Sequence, residues 1–390
     1  MPIKLVHITT VPESLGFLRG QVGYAKSRGF EVHAISSPGE SLQKFAGDAG
    51  VSAHAVEMPR RITPLRDLIA IARVCRVLQV MRPHIVHSHT PKGGLLGTIS
   101  AWIMRVPVRV YHIHGLPMMT ARGHKRVLLR WSEKLACKLA HQVLCVSHSI
   151  REVAIAEGLC PASKIKVLLN GSINGVDAQG KFDPHSFGEQ ARMHILGRYG
   201  IPANATVVGF VGRIVRDKGV EDMICAWQIL SKEFPDLYML VVGAFEPQDM
   251  VSLETQRILK EDPRIVLTGH VDDVLRQYLA MDIVILPSYR EGFPVVAMEA
   301  SAMELPVVST EIPGCRDAVM DRVTGTLVPT HDDAALAAAV RRYIITPALC
   351  KQHGRAGRER MLREFRQLDI SVAAYQEYLR LMVHNGVQRE

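Results

Sequence analysis

No Cys-x-x-Cys pair occurs in this 390-residue sequence, and its seven cysteines (Cys75, Cys137, Cys145, Cys160, Cys225, Cys315 and Cys350) are odd in number and scattered. That pattern argues against a zinc site or a disulfide framework and for buried thiols in a reducing compartment. Nor does any stretch reach the roughly eighteen uninterrupted apolar residues that a membrane-spanning helix needs. The first apolar run, Ile3–Ile8, is too short for a signal peptide and alternates like a first strand, so a cytoplasmic chain without a span of its own is expected. A Gly-x-Gly-x-x-Gly after a strand, with an acid about twenty residues on, is missing from both halves, which removes the fingerprint of a nicotinamide oxidoreductase. Asp-x-Asp is absent too, so a paired-carboxylate metal clamp has no obvious ligands and no metal is expected.

What is present points to two globular domains. At about 100–200 residues per domain the chain is too long for one ordinary core, and 47% of it is hydrophobic against 22% charged. The net charge of +9 hides an asymmetry: residues 1–200 carry 26 Lys and Arg against 12 Asp and Glu, whereas residues 201–390 carry 21 against 26. An acidic partner for the first half follows. Short aliphatic runs alternate with longer mixed segments. Strands are expected at Ile3–Ile8, Glu31–Ser36, Val51–Val56, His84–Ser88, Val108–His112 and Gln142–Val146, then at Thr206–Val211, Leu237–Val242, Arg264–Thr268, Asp282–Leu286, Pro306–Ser309 and Thr326–Val328. Helical patterns at Leu15–Ser27, Ile69–Met81, Gly93–Met104, Lys125–Ala140 and Ser147–Glu157 separate the strands of the first half, and after Thr330 helices run to the end, interrupted by Pro347 and Gly354. Such alternation predicts α/β architecture with mainly parallel, doubly wound sheets. Glycines and prolines between 183 and 204 mark a crossover, which divides the chain into domains 1–190 and 191–365 with a terminal helix at 366–390.

Ligands of such sheets sit outside the carboxyl ends of the strands, so the loops after strands carry the argument. In the first half these are Thr9–Gly20, with Gly16 placed for close backbone approach, then His87-Ser-His-Thr-Pro-Lys-Gly-Gly94 and His112-Ile-His-Gly115. A histidine in such a loop is more often a satisfied structural residue, which is the expectation for His87 and His89. In the second half Gly212-Arg-Ile-Val-Arg-Asp-Lys-Gly219 sets Arg213 and Lys218 five apart after a strand, where two cations can clamp a diphosphate. Gly243 and Gly269-His270-Val271 follow the next strands and suit the walls of a base pocket.

The most informative stretch is Ser288–Pro313. Pro294 suits the first position of a helix, and free amides around Phe293, Val295 and Val296 would then face an anion. Glu291 in the preceding loop and Glu299 eight positions on look into one crevice. A carboxylate beside an anion site suggests contact with a sugar hydroxyl or vicinal diol. Glu291-Gly292-Phe293-Pro294 followed by Glu299-Ala300 closely resembles the signature of retaining nucleotide-sugar glycosyltransferases of family 4 type, which have the GT-B fold of two facing Rossmann-like domains. Asn174-Gly-Val-Asp177 followed by Phe182 resembles the branch that builds bacterial polysaccharides on undecaprenyl-diphosphate-linked sugars, although relatives commonly have more glycine in the first loop than Gly16 alone.

The resemblance implies roles residue by residue. Glu291 lies against the donor sugar with Gly292, Phe293, Pro294 and Val295 around it, Glu299 holds the ribose diol, Arg213 and Lys218 hold the donor diphosphate, and His114 touches the donor sugar. It also implies that the last helix, Leu368–Met382, returns to the first domain. The expected partners are a UDP-sugar donor, often an N-acetylhexosamine or hexose, and a lipid-linked saccharide acceptor, with retention at the anomeric carbon and no cofactor. Two basic segments with interleaved apolar residues, Arg60–Arg82 and Arg122–Lys138, add an anionic membrane surface and a place on the inner face of the membrane. A non-catalytic lipid or nucleic-acid binder would explain the positive half without explaining Glu291 and Glu299, so no nucleic-acid partner is expected.

Overall fold

A computed structural model of the chain describes residues 2–387 apart from 189 and 248. It divides into two compact units, Met1–Gly175 with Gln367–Glu390, and Val176–Arg366. The first holds seven parallel strands, β1 (Ile3–Ile8), β2 (Phe30–Ser36), β3 (Ser52–Ala55), β4 (Ile85–His89), β5 (Val108–Ile113), β6 (Gln142–Cys145) and β7 (Ile165–Val167), in the order β3-β2-β1-β4-β5-β6-β7. The second holds six, β8 (Thr206–Val211), β9 (Leu237–Val242), β10 (Ile265–Gly269), β11 (Ile283–Leu286), β12 (Val307–Thr310) and β13 (Gly325–Val328), ordered β10-β9-β8-β11-β12-β13. In both, the winding reverses beside the unit's first strand, between β1 and β4 and between β8 and β11. That reversal opens a crevice at the strands' carboxyl ends.

Outside the exposed edge strand β3, most aliphatic strand residues are buried on both faces, as parallel sheets require. Val6, Ile8, Ile35 and Val86 pack with Ala70, Val74 and Leu78 of the helix Pro64–Met81 in the first unit. Val208, Phe210, Val241 and Ile285 pack with Trp227 of the helix Val220–Glu233 in the second. Pro64–Met81 begins on its proline and ends at Arg82 in a left-handed conformation, so both boundaries are set by local chemistry.

Two expectations need correction, and two elements went unexpected. The boundary between units falls at Gly175/Val176, ahead of 190/191, because the segment after Val176 is bound into the second unit: Arg358 donates to Phe182 O at 3.1 Å and pairs with Asp183 at 2.6 Å. Gly354 does not interrupt a helix but lies within Pro347–Glu364, where a Cβ would come 1.9 Å from Glu304 O. The helix Glu40–Ala49 and the strand β7 were not legible in the pattern, the strand because it is only three residues long. The final helix, Gln367–His384, belongs to the first unit, burying Ile370, Ala374, Tyr378 and Leu381 at helical spacing. All seven cysteines are free thiols. Among the described residues, no helix is long and apolar enough to cross a membrane.

Candidate functional site

In the second unit the loops after β8 and β11 flank the reversal point, and side chains meet there. Gly219 ends the β8 loop at φ +66, and a Cβ on it would lie 1.9 Å from Pro287 O, so only glycine lets this loop close against the end of β11. Two further links hold the loops together: Tyr289 N donates to Asp217 O at 2.9 Å, and Arg290 Nη2 to Asp217 Oδ2 at 2.6 Å. Lys218 Nζ thereby comes 2.5 Å from Glu291 Oε1, both side chains being mostly buried. Arg213 pairs instead with Glu246 across the β9 loop and is half exposed.

Glu299 projects from the helix Val295–Ala302, for which Pro294 is the N-cap with φ −71 and ψ 112. Pro294 therefore precedes the helix and does not occupy its first position. Its extended backbone aims the chain into the turn; Ala297 N already bonds Pro294 O at 3.2 Å, and the amides of Val295 and Val296 ahead of it have no intrahelical acceptor. Tyr278 Oη donates to Glu299 Oε2 at 2.9 Å. Burial pushes the Glu299 carboxyl up to about 7 against the opposing pull of that hydrogen bond, while burial and the Glu299 charge push the Tyr278 phenol well above its ordinary value. Phe293 is buried, 5.2 Å from Phe365 ring to ring, so its side chain anchors the loop from within. Gly243 packs so that a Cβ would lie 1.8 Å from Gly212 O, and Gly292 is buried. His270 is exposed at the end of β10, 3.4 Å from Asp272.

The first unit presents a different arrangement. Strand pairing sets His7 opposite His87 and His89 opposite His112, and His114 follows one pleat after His112. The two His-x-His pairs, at 87/89 and 112/114, each place both imidazoles on one face of their strand, which is the signal that reading them as separate loops missed. His7 Nδ1 and His89 Nε2 are 2.9 Å apart, His89 Nδ1 and His114 Nε2 3.0 Å, and His87 Nδ1 and Tyr378 Oη of the last helix 2.7 Å. His89 is thus buried with both ring nitrogens paired, whereas His87 is buried but only half satisfied, since His87 Nε2, like His7 Nε2 and His112 Nδ1, has no partner. Burial lowers His7 to about 3 and His114 to about 4, and burial together with neighbouring imidazoles holds His87, His89 and His112 well below the ordinary range. Gly16 lies in the short 3-10 segment Pro12–Leu18, where an added Cβ would meet nothing within 4 Å, so no part of the chain itself requires glycine there.

Arg213, Lys218, Gly243, His270, the turn Glu291–Val295 and Glu299 therefore all stand at the carboxyl edge of the second sheet, and Gly16 and His114 at that of the first. Sequence comparison identifies the two parts. Residues 17–171 match the glycosyl transferase 4-like domain, and residues 194–360 the glycosyl transferases group 1. The capsular polysaccharide biosynthesis glycosyltransferase CapM of Staphylococcus aureus is 33% identical over 362 residues, covering 93% of each chain. An Escherichia coli enzyme, UDP-Gal:alpha-D-GlcNAc-diphosphoundecaprenol alpha-1,3-galactosyltransferase, is 26% identical over 87% of each. In fold, Anabaena HepE, solved in complex with UDP, matches with a TM-score of 0.79 at 19% identity over 97% of this chain and 100% of that one. The chain belongs to the family 4-like glycosyltransferases of GT-B fold, alongside polysaccharide-building members such as the Staphylococcus aureus enzyme.

Proposed function

We propose that the protein transfers a hexose or N-acetylhexosamine from a UDP-sugar to a hydroxyl of a lipid-linked saccharide, with retention of configuration, in the assembly of a cell-surface polysaccharide. The observation that carries this reading is the Lys218–Glu291 pair, a cation for the donor diphosphate beside a carboxylate for the sugar, at the reversal point of the second sheet. Arg213 adds a second cation by giving up Glu246, and the amides at the start of Val295–Ala302 complete a preorganised field for a departing diphosphate. Glu299 accepts from the ribose hydroxyls as a carboxylate. Gly243 and His270 line the base, and His114 and Gly16 serve the sugar, on the strength of family likeness. Same-face attack assisted by the leaving diphosphate requires no protein nucleophile, and no general base is assigned. UDP as the carrier is supported by the Escherichia coli and Anabaena relatives, and a diphosphate-lipid acceptor by the former.

The basic half of the chain supports a place on the inner membrane leaflet. The helices Pro64–Met81, Pro91–Ile103 and Gly123–Leu139 lie side by side in the first unit. They expose Leu65, Leu68, Trp102, Val127 and Trp131 among Arg66, Arg73, Lys125 and Lys134. Incubation with a panel of nucleotide sugars tests the donor: slow hydrolysis confined to UDP-sugars is expected, and hydrolysis of none of them would overturn the reading. Donor binding is taken as metal-independent, so magnesium should leave UDP affinity unchanged in chelator-treated protein.

A further inference from the structure

The histidines at the reversal point of the first sheet have more coordinating capacity than the proposed transfer uses. Nitrogens of His7, His87 and His89 that are able to bind a metal all lie within 4.8 Å of one another, and all three residues are buried. Two of the nitrogens, His7 Nε2 and His87 Nε2, have no hydrogen-bond partner. Native proteins seldom leave buried polar atoms unpaired, and two from adjacent strands at one spot point to a ligand. We propose that His7, His87 and His89 bind one divalent transition-metal ion, zinc above all, as a structural site within the first unit.

The donor set selects the metal. Three imidazoles and no oxygen ligand suit zinc, copper or nickel and are poor for magnesium or calcium. Strand register already sets the ligands on one face, because His7 pairs with His87 and His89 lies two positions on. The outer nitrogens are held as ligating histidines require: His87 Nδ1 by Tyr378 Oη at 2.7 Å and His89 Nδ1 by His114 at 3.0 Å, which leaves Nε2 of each for the ion. Zinc–nitrogen bonds of about 2.0–2.1 Å require the rings to draw together by a short swing, at the cost of the single His7–His89 hydrogen bond. A water or hydroxide takes the fourth position, and hydroxide would halve the charge brought into the core. A second triad, His89, His112 and His114, shares His89 but has one ligand that is only partly buried and a single orphaned nitrogen, so one ion per chain on the deeper triad follows. Bound there, the ion joins β1 to β4 and, through Tyr378, to the last helix.

The test is cobalt titration of the full chain after stripping with chelator, read by visible absorption and by metal analysis. About one ion per chain with the intense bands of tetrahedral cobalt is expected, displaced by zinc and accompanied by a rise in Tm. His7→Gln and His87→Gln should lose the bands, whereas His54→Gln, at the partly exposed His33–His54 pair, should keep them. Absence of tetrahedral bands in the wild-type chain would overturn the proposal whether or not the variants fold. So would full binding in both triad variants, with circular dichroism as the check on their folding. None of these readouts depends on transferase activity.

Discussion

Both sheets reverse their winding beside the unit's first strand, and the two units fill the resulting crevice with opposite chemistry. In the first, five imidazoles, four on β1, β4 and β5 and His114 just past the end of β5, crowd together and burial keeps them neutral. In the second, opposite charges meet: Lys218 with Glu291, Arg290 with Asp217, and Arg213 with Glu246. Depth explains the contrast. Four of the histidines belong to the strands themselves, where a charge would lie in the core, whereas the ion pairs belong to loops beyond the strand ends, where desolvation is partial and a partner is at hand. A crevice of neutral donors is suited to coordinating, and one of paired charges to exchanging a partner for a ligand's charge.

The largest effect should come from breaking the pairing in the second crevice. Glu291→Ala should lower transfer by about 100-fold or more, the scale of losing one preorganised group at a reacting centre. Binding of free UDP should be undiminished, because Lys218 loses its carboxylate partner and keeps its phosphate role. Calorimetric titration beside a transfer assay separates the two, and an equal loss in both would contradict the division. Lys218→Ala should do the reverse, weakening UDP by about 1.5–3 kcal/mol, or roughly tenfold or more.

Acid should move the two crevices in opposite directions. His7 titrates at about 3 when folded and near 6.5 when unfolded, so between those values the unfolded chain takes up a proton that the folded one refuses. Stability from His7 is complete above pH 6.5 and lost as pH falls, by about 2 kcal/mol at pH 5 at 1.36 kcal/mol per pH unit, with the neighbouring histidines adding in the same sense. Glu299 has the opposite sign: folded at about 7 and unfolded near 4.5, it binds its proton in the folded state first, so lowering the pH through that window favours the second unit. Urea unfolding of chelator-treated protein at pH 7 and pH 5 checks this. Trp227 is buried in the second unit and reports it alone once Trp102 and Trp131 are replaced by Phe. A second unit that loses stability at pH 5 along with the first would contradict the assignment.

The contrast between the crevices was only half legible in the sequence. The charged one announced itself because its residues sit in continuous text: Arg213 and Lys218 share one loop, and Glu291 and Glu299 one strand-to-helix junction, so local spacing carried the information. The histidine crevice is assembled from residues 7, 87, 89, 112 and 114, brought together by pairing across strands far apart in the chain. Alternation marked each strand and could reveal which pairs share a face, but not which strand lies beside which. The same limit hid the pairing of Arg213 with Glu246 and the capping of Glu299 by Tyr278, both of which cross from one βα unit to another. Fold class, by contrast, needs only the rhythm of strands and helices, and β1, β8 and β9 fall on the residues expected.

The smallest expected effect concerns the outer face of the first unit. Neutral inside, the first unit is strongly basic outside, and its basic residues stand among exposed apolar ones: Trp131 is 60% exposed, Leu65 78% and Leu68 63%. Each cation near an anionic bilayer contributes about 1 kcal/mol, and lysine and arginine stems cover apolar surface while their heads reach phosphate. Not every basic residue is equally available. Arg126 pairs with Glu157 at 2.5 Å, and Arg130 donates to Glu157 O at 2.6 Å, so reversing either also disturbs the packing of its helix. Lys125 and Lys134 are exposed, Lys134 lying 5.8 Å from the Trp131 ring, and are the cleaner pair to reverse. Flotation with anionic liposomes at low salt should recover the wild-type chain, and high salt or neutral lipid should release it. Lys125→Glu with Lys134→Glu should weaken the association by roughly tenfold or more, since two contributions of about 1 kcal/mol are lost. Trp131→Ala should weaken it by the same factor at each salt concentration at which the wild type still binds, because the contribution it removes is apolar and unscreened. If the double reversal floats as well as the wild type, the basic face is a solvated surface and the acidic partner of the first unit lies elsewhere.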